Sequence, residues 1–347
     1  MSISNIAPAR AKTRLFQTLR TSSIAMSSAL LLSTSSIGAL ACACGCGIFD
    51  IGGVSLAPSN SDTGLSAWFR YSAMDQNTNF EGTSKAPASD NSDKRIQTSF
   101  YTFGAQYMIN HDWGLMVELP LYGRSFTTVY DDAGDIGKFN LNAVGDLKVM
   151  GMYTGFSPDH STGVTFGLKL PTGLWKSPNY TVGGQVLSGI YDRDTLPGTG
   201  STDLMLGAYQ LGSLTSDGKL SYFGQVSAQI PIATQGGYRP GAEYDAAIGL
   251  TYDLGSFGPA TKVAPVAQLL GSHREHDYKF GMVSPDSGYD RLFVSPGIDL
   301  RFDKLKIYAD VEIPVYQRVG YGNLANDGTA GQLVAPVLYK VQVGYDF

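Results

Sequence analysis

The sequence predicts an all-β fold: a single antiparallel transmembrane β-barrel of about 12 strands, with short periplasmic turns and long extracellular loops. Three observations predict it. Apolar and polar residues alternate with period two in segments of about ten residues, the length a tilted strand needs to cross a bilayer. The connections between these segments alternate long and short, and the last segment closes the chain on an aromatic residue, Phe347. Composition agrees, since 42 Gly, 20 Tyr and 16 Phe in 347 residues, with only 16% charged, suit strands and turns better than packed helices.

The segments fall at approximately 64–72, 97–109, 114–123, 145–154, 162–171, 202–210, 219–230, 243–252, 261–270, 291–302, 304–315 and 333–347. Long connections are expected near 73–96, 124–144, 172–201, 231–242, 271–290 and 316–332. Short ones are Asn110 to Trp113, Phe156 to Ser161, Leu211 to Gly218, Asp253 to Ala260 and the tight pair Asp303-Lys304. That turn places Ile298 opposite Ala309 and Leu300 opposite Ile307, so the apolar faces of strands ten and eleven coincide. In the last strand the odd positions from Leu333 through Ala335, Val337, Tyr339, Val341 and Val343 to Phe347 form the lipid-facing side, while Lys340, Gln342 and Asp346 face the other way.

Ahead of the barrel, Arg10, Lys12, Arg14 and Arg20 precede an apolar stretch around Ile24 to Leu32 and the small-residue pattern Ala39-Leu40-Ala41. This reads as a signal peptide over 1–41. Residues 42–60 then form a periplasmic Cys/Gly-rich segment, a candidate plug, and 61–347 the outer-membrane barrel. Cys42, Cys44 and Cys46 are candidate ligands for a soft metal, but their alternate spacing is not C-x2-C and no fourth ligand is near, so no metal and no cofactor are expected. A lipid anchor at Cys42 is disfavoured because Leu40 stands two places before it, not three.

The final strand, Val341-Gln342-Val343-Gly344-Tyr345-Asp346-Phe347, resembles the C-terminal signal by which bacterial outer-membrane barrels are delivered to the barrel assembly machinery, with Tyr345 and Phe347 as its aromatic residues. Further inward, Leu168-Lys169-Leu170-Pro171-Thr172-Gly173 and Gly198-Thr199-Gly200-Ser201-Thr202-Asp203-Leu204 resemble paired motifs of the outer-membrane transporter family named for the MetA pathway of phenol degradation. The resemblance implies uptake of small, hydrophobic or aromatic molecules.

Lipids of the outer membrane, the assembly machinery and a small-molecule solute are therefore the expected partners. A net charge of −5 without a Lys/Arg cluster gives no footprint for nucleic acid. The residues opposite the apolar faces are the candidate lumen lining. They are Arg70, Glu118, Lys148, Lys169, Asp203 and Asp245 in the first eight strands, and Asp299, Arg301, Lys306, Asp310, Glu312 and Lys340 in the last three. Turning such charges inward avoids roughly 2–4 kcal/mol for a Lys or Arg in the bilayer midplane.

Two other classes compete with a channel. An outer-membrane enzyme of lipase type would need a serine beside an oriented histidine, yet His111 and His160 fall in turns and His273 and His276 in a segment whose composition reads as a solvated loop. No catalytic residue is assigned. The other is a structural barrel with a closed lumen.

Overall fold

The computed structural model describes residues 63–131, 133–320 and 331–347. The expected signal peptide, the 42–60 segment and its three cysteines lie outside the described residues. Twelve antiparallel strands close on themselves: β1 (Gly64–Gln76), β2 (Asp93–Met108), β3 (Trp113–Val129), β4 (Leu147–Tyr153), β5 (Thr162–Leu170), β6 (Thr202–Ser213), β7 (Leu220–Ala233), β8 (Glu243–Tyr252), β9 (Lys262–Arg274), β10 (Tyr289–Phe302), β11 (Leu305–Val319) and β12 (Leu338–Asp346). Each pairs with its sequence neighbours, and β12 returns to β1 with Ser66 opposite Asp346 and Met74 opposite Leu338. Closure leaves no edge strand whose backbone groups would meet hydrocarbon unpaired.

The period-two pattern decides which side is which. Along β12, Lys340 and Gln342 are buried inside while Tyr339, Val341, Val343 and Tyr345 are exposed outside. At the periplasmic rim Trp113 packs on Tyr153 at 4.8 Å, and Tyr345 on Phe347 at 5.1 Å, part of the aromatic belt expected at a membrane interface. The β10–β11 turn has the expected register, Ile298 opposite Ala309 and Leu300 opposite Ile307, and Asp303 takes the left-handed φ of 54° that so short a turn demands.

Several strands run two to four residues beyond the expected segments, and three differences bear on the lumen and its mouth. First, β12 begins at Leu338, not 333: Pro336 interrupts the ladder, residues 332–334 pair instead with 78–80, and Leu333 and Ala335 are buried inside the molecule. Second, 124–144 is not an open loop. The outer half of β3 pairs with a return strand, Ile136–Val144, Val129 facing Ile136 and Leu121 facing Val144. Phe126, Phe139 and Leu141 bury themselves on its inner side. Third, Ser272, His273 and Arg274 belong to β9, with Arg274 buried.

Candidate functional site: a constricted lumen

All of the charged lumen candidates are buried or half-buried inside the barrel, and most of them meet an opposite charge there. Lys340 Nζ lies 2.7 Å from Glu312 Oε1, Lys306 Nζ 2.8 Å from Asp346, and Arg70 3.5 Å from Glu118. Arg301 sits 3.5 Å from Asp299. Asp310 accepts hydrogen bonds from Gln268 Nε2 (2.9 Å) and the Tyr308 hydroxyl (2.7 Å). Pairing of this kind offsets the desolvation of each ion. Lys148 of β4 and Asp245 of β8 are half-buried and face the central cavity.

The two motifs read from the sequence meet at one point. Lys169 of β5 lies between two carboxylates, 3.0 Å from Asp146 and 2.9 Å from Asp203 of β6. Ser201 donates to Asp203 at 2.6 Å, and Gln229 of β7 donates to its other oxygen at 2.7 Å. Asp146 also accepts the backbone N–H of Gly173 (2.9 Å) and of Thr199 (2.9 Å). One carboxylate therefore holds both ends of the 171–201 connection. The glycines serve the same closure, because a Cβ on Gly198 would lie 2.5 Å from the carbonyl carbon of Gly173.

Held at its base, that connection folds into the barrel. The Tyr191 hydroxyl donates to the Phe139 carbonyl at 2.9 Å, and Arg124, itself bonded to Thr98 at 2.9 Å, donates to the Thr195 carbonyl. Asp194, Leu196 and Pro197 thereby join Arg70, Glu118, Lys148, Lys169 and Asp245 around an interior cavity of about 180 Å³. A second cavity of about 140 Å³ lies toward the periplasm, lined by Trp68, Gln106, Met116, Met150, Lys306 and Gln342. Glu118, Lys148, Met205 and Ser227 line both, so the two are stacked compartments of one lumen. Two large rings lie against the inner wall where a neighbouring strand offers glycine. A Cβ on Gly104 would come within 2.0 Å of the Trp68 ring, and one on Gly249 within 2.3 Å of the Phe223 ring.

Above the cavity three extracellular connections interlock. Arg193 is sandwiched between Trp175 (4.6 Å) and Tyr238 (5.0 Å) and donates to the Thr199 carbonyl at 2.8 Å. Tyr238 donates to Asp277 at 2.8 Å, and Asp277 pairs with Arg274 at 2.8 Å. Burial lowers the Arg193 pKa and raises that of Asp192, whose rise is held back by Lys279 at 3.7 Å. Sequence reasoning missed Trp175, Arg193, Asp194 and Tyr238, because loop residues carry no periodicity. The one available signal was a tryptophan and an arginine inside a Gly/Pro-rich connection.

His111 and His160 sit in periplasmic connections, their rings 4.0 Å apart. His273 points out of the barrel, Nδ1 2.6 Å from Asp290. Tyr345 and Phe347 lie on the outer face at the periplasmic rim, Phe347 66% exposed.

No protein-family model and no curated protein matches the chain. Among solved structures it is similar to the COG4313 outer membrane channel from Pseudomonas putida F1, with a TM-score of 0.61 at 14% identity over 86% of this chain and 100% of that one. It is also similar to the β domain of the Bordetella autotransporter BrkA, with a TM-score of 0.51 at 12% identity over 82% and 100%. At these identities the likeness is one of fold. Closed barrel, lipid-facing apolar wall and polar interior together define the class: this is a bacterial outer-membrane β-barrel. Within that class it is a twelve-stranded barrel whose third extracellular connection narrows the lumen.

Proposed function

We propose that the protein is an outer-membrane channel for small molecules, with traffic limited by the inward-folded 171–201 connection. The observation that carries this reading is the pair of stacked compartments running past that connection, walled by charges of both signs. A lining of mixed sign disfavours strong selection for anions or cations and leaves size as the main filter. Arg70, Glu118, Lys148, Lys169, Asp203 and Asp245 would shape the narrow part. Asp299, Arg301, Lys306, Asp310, Glu312 and Lys340 would line β10 to β12, the part of the wall that closes onto the β1 strand of Arg70. The similar Pseudomonas protein is described as an outer membrane channel. A small hydrophobic or aromatic solute is the proposed cargo on the motif resemblance, and Tyr345 with Phe347 the proposed assembly signal.

The test is single-channel conductance of the refolded mature chain in a planar bilayer, beside a form lacking residues 42–60. Small steps in both support a narrow channel. Steps that grow on deletion add a plug made by the Cys/Gly segment, while silence in both forms rejects the passive channel in favour of a closed structural barrel.

Two contacts bear on the lipase alternative: His273 faces lipid and is oriented by Asp290, and Ser287 Oγ lies 3.5 Å from His276 Nδ1 in an extracellular connection, although its proton goes to the Ser284 carbonyl. The outward positions beside His273 are Tyr244, Gly271, Leu292 and Tyr316, which supply no hydroxyl of the serine type. Lipase activity in detergent, lost on His273→Ala or His276→Ala, would restore that reading.

A further inference from the structure

The outer wall carries a feature that the lumen does not use. Cross-strand register sets Ala228, Tyr244, His273, Asp290 and Arg318 in one outward row across β7 to β11, near the extracellular ends of the strands. The next row toward the periplasm runs Val226, Ala246, Gly271, Leu292 and Tyr316. At its centre stand the two smallest residues, and a Cβ placed on Gly271 would meet nothing closer than backbone oxygens at 4.0 Å. Below them Ile248 and Leu269 project again, both exposed. The result is a concavity of about 800 Å³ on the outside of the barrel. It is a dent, not an opening, because the β7–β8, β8–β9 and β9–β10 ladders run through it without a register shift.

We propose that this niche binds a phosphate-bearing lipid of the outer leaflet, its acyl portion over Ala246 and Gly271 and its phosphate against Arg318 and His273. The niche faces hydrocarbon, so the occupant's lower part is apolar. Its upper edge is ionic: His273 Nδ1 is 2.6 Å from one oxygen of Asp290, and Arg318 is 3.9 Å from the other, outside hydrogen-bond distance. Two basic side chains thus share one carboxylate at headgroup height, the depth at which a charge on the lipid face is tolerated. With Asp290 seated between them, an anion approaches from the headgroup side, where the half-exposed Arg318 guanidinium offers it a charge-assisted hydrogen bond, and Tyr244, its ring 6.1 Å from that of His273, and Tyr316 flank it. A second protein is the poorer fit, since a stable interface needs roughly 800 Å² per partner and this dent is closed by projecting side chains above and below.

The experiment is native mass spectrometry of the full protein extracted from outer membranes in mild detergent, with released lipids identified. Wild type is expected to retain a phosphate-bearing lipid. Gly271→Leu, which fills the space of the acyl portion, and Arg318→Glu, which removes a charge-assisted contact and reverses the cation, should each reduce retention by about tenfold or more. Both variants are expected to keep the heat-modifiable mobility of a folded barrel and wild-type conductance. Equal retention in wild type and both folded variants overturns the proposal. So does a wild type that retains no lipid, or one that runs as an oligomer which Gly271→Leu converts to a monomer.

Discussion

Asp146 is the residue on which the shape of the lumen turns. It accepts both backbone ends of the inward-folded connection and one side of Lys169. Asp146→Ala releases the ends while Lys169 keeps Asp203, so the barrel is expected to fold and its conductance to rise and become noisier; an unchanged single-channel trace would separate the connection from the constriction. Lys169→Met is more damaging. It leaves two buried carboxylates without their cation, a change that typically costs 3–5 kcal/mol, and should lower the unfolding midpoint in detergent. Gly104→Leu acts by a different route. With the Trp68 ring 2.0 Å from the new Cβ, the indole must swing into the lower compartment. The expected outcomes are reduced conductance and altered tryptophan fluorescence, with about 1–3 kcal/mol of destabilisation from overpacking.

At the scale of elements, the latch over the mouth joins three connections through Arg193. Arg193→Ala removes both aromatic contacts and the bond to Thr199, so the open fraction in bilayer recordings should increase. Asp192, beside it, has a pKa raised by burial. A carboxyl whose folded pKa is raised favours the inserted loop when protonated. Its contribution is complete below the ordinary aspartate range and is lost as pH rises through the raised value. Acidification should therefore steady the loop and reduce conductance, and Asp192→Asn should hold the low-pH level at neutral pH. A pH response unchanged in Asp192→Asn would assign it to another group. The return strand after β3 teaches a related lesson: Phe126, Phe139 and Leu141 alternate as a strand should, but only pairing above the membrane reveals their partner.

For the molecule as a whole, Phe347→Ala is expected to lower the yield of folded barrel in the outer membrane while leaving refolded material conductive, as a delivery signal rather than a structural residue would. A fall in refolded stability equal to the fall in yield would make it structural. Strand number, order and facing were legible in the sequence because a barrel wall between lipid and water imposes period two on every strand, and the β10–β11 register followed from one two-residue turn. The start of β12 was misplaced because apolar residues at Leu333 and Ala335 suit an inward-packed extracellular segment as well as a lipid-facing strand. Lys169 and Asp203 were nameable as inward charges, yet their meeting with Asp146 depends on how the intervening connection folds. By itself, then, the sequence determined the class, the sidedness and the inventory of buried charge, since those are local consequences of alternation against a bilayer. Only the tertiary structure decided which charges pair, where the lumen narrows and which loops lock over it, because those contacts join residues far apart in the chain, and no local periodicity records such a meeting.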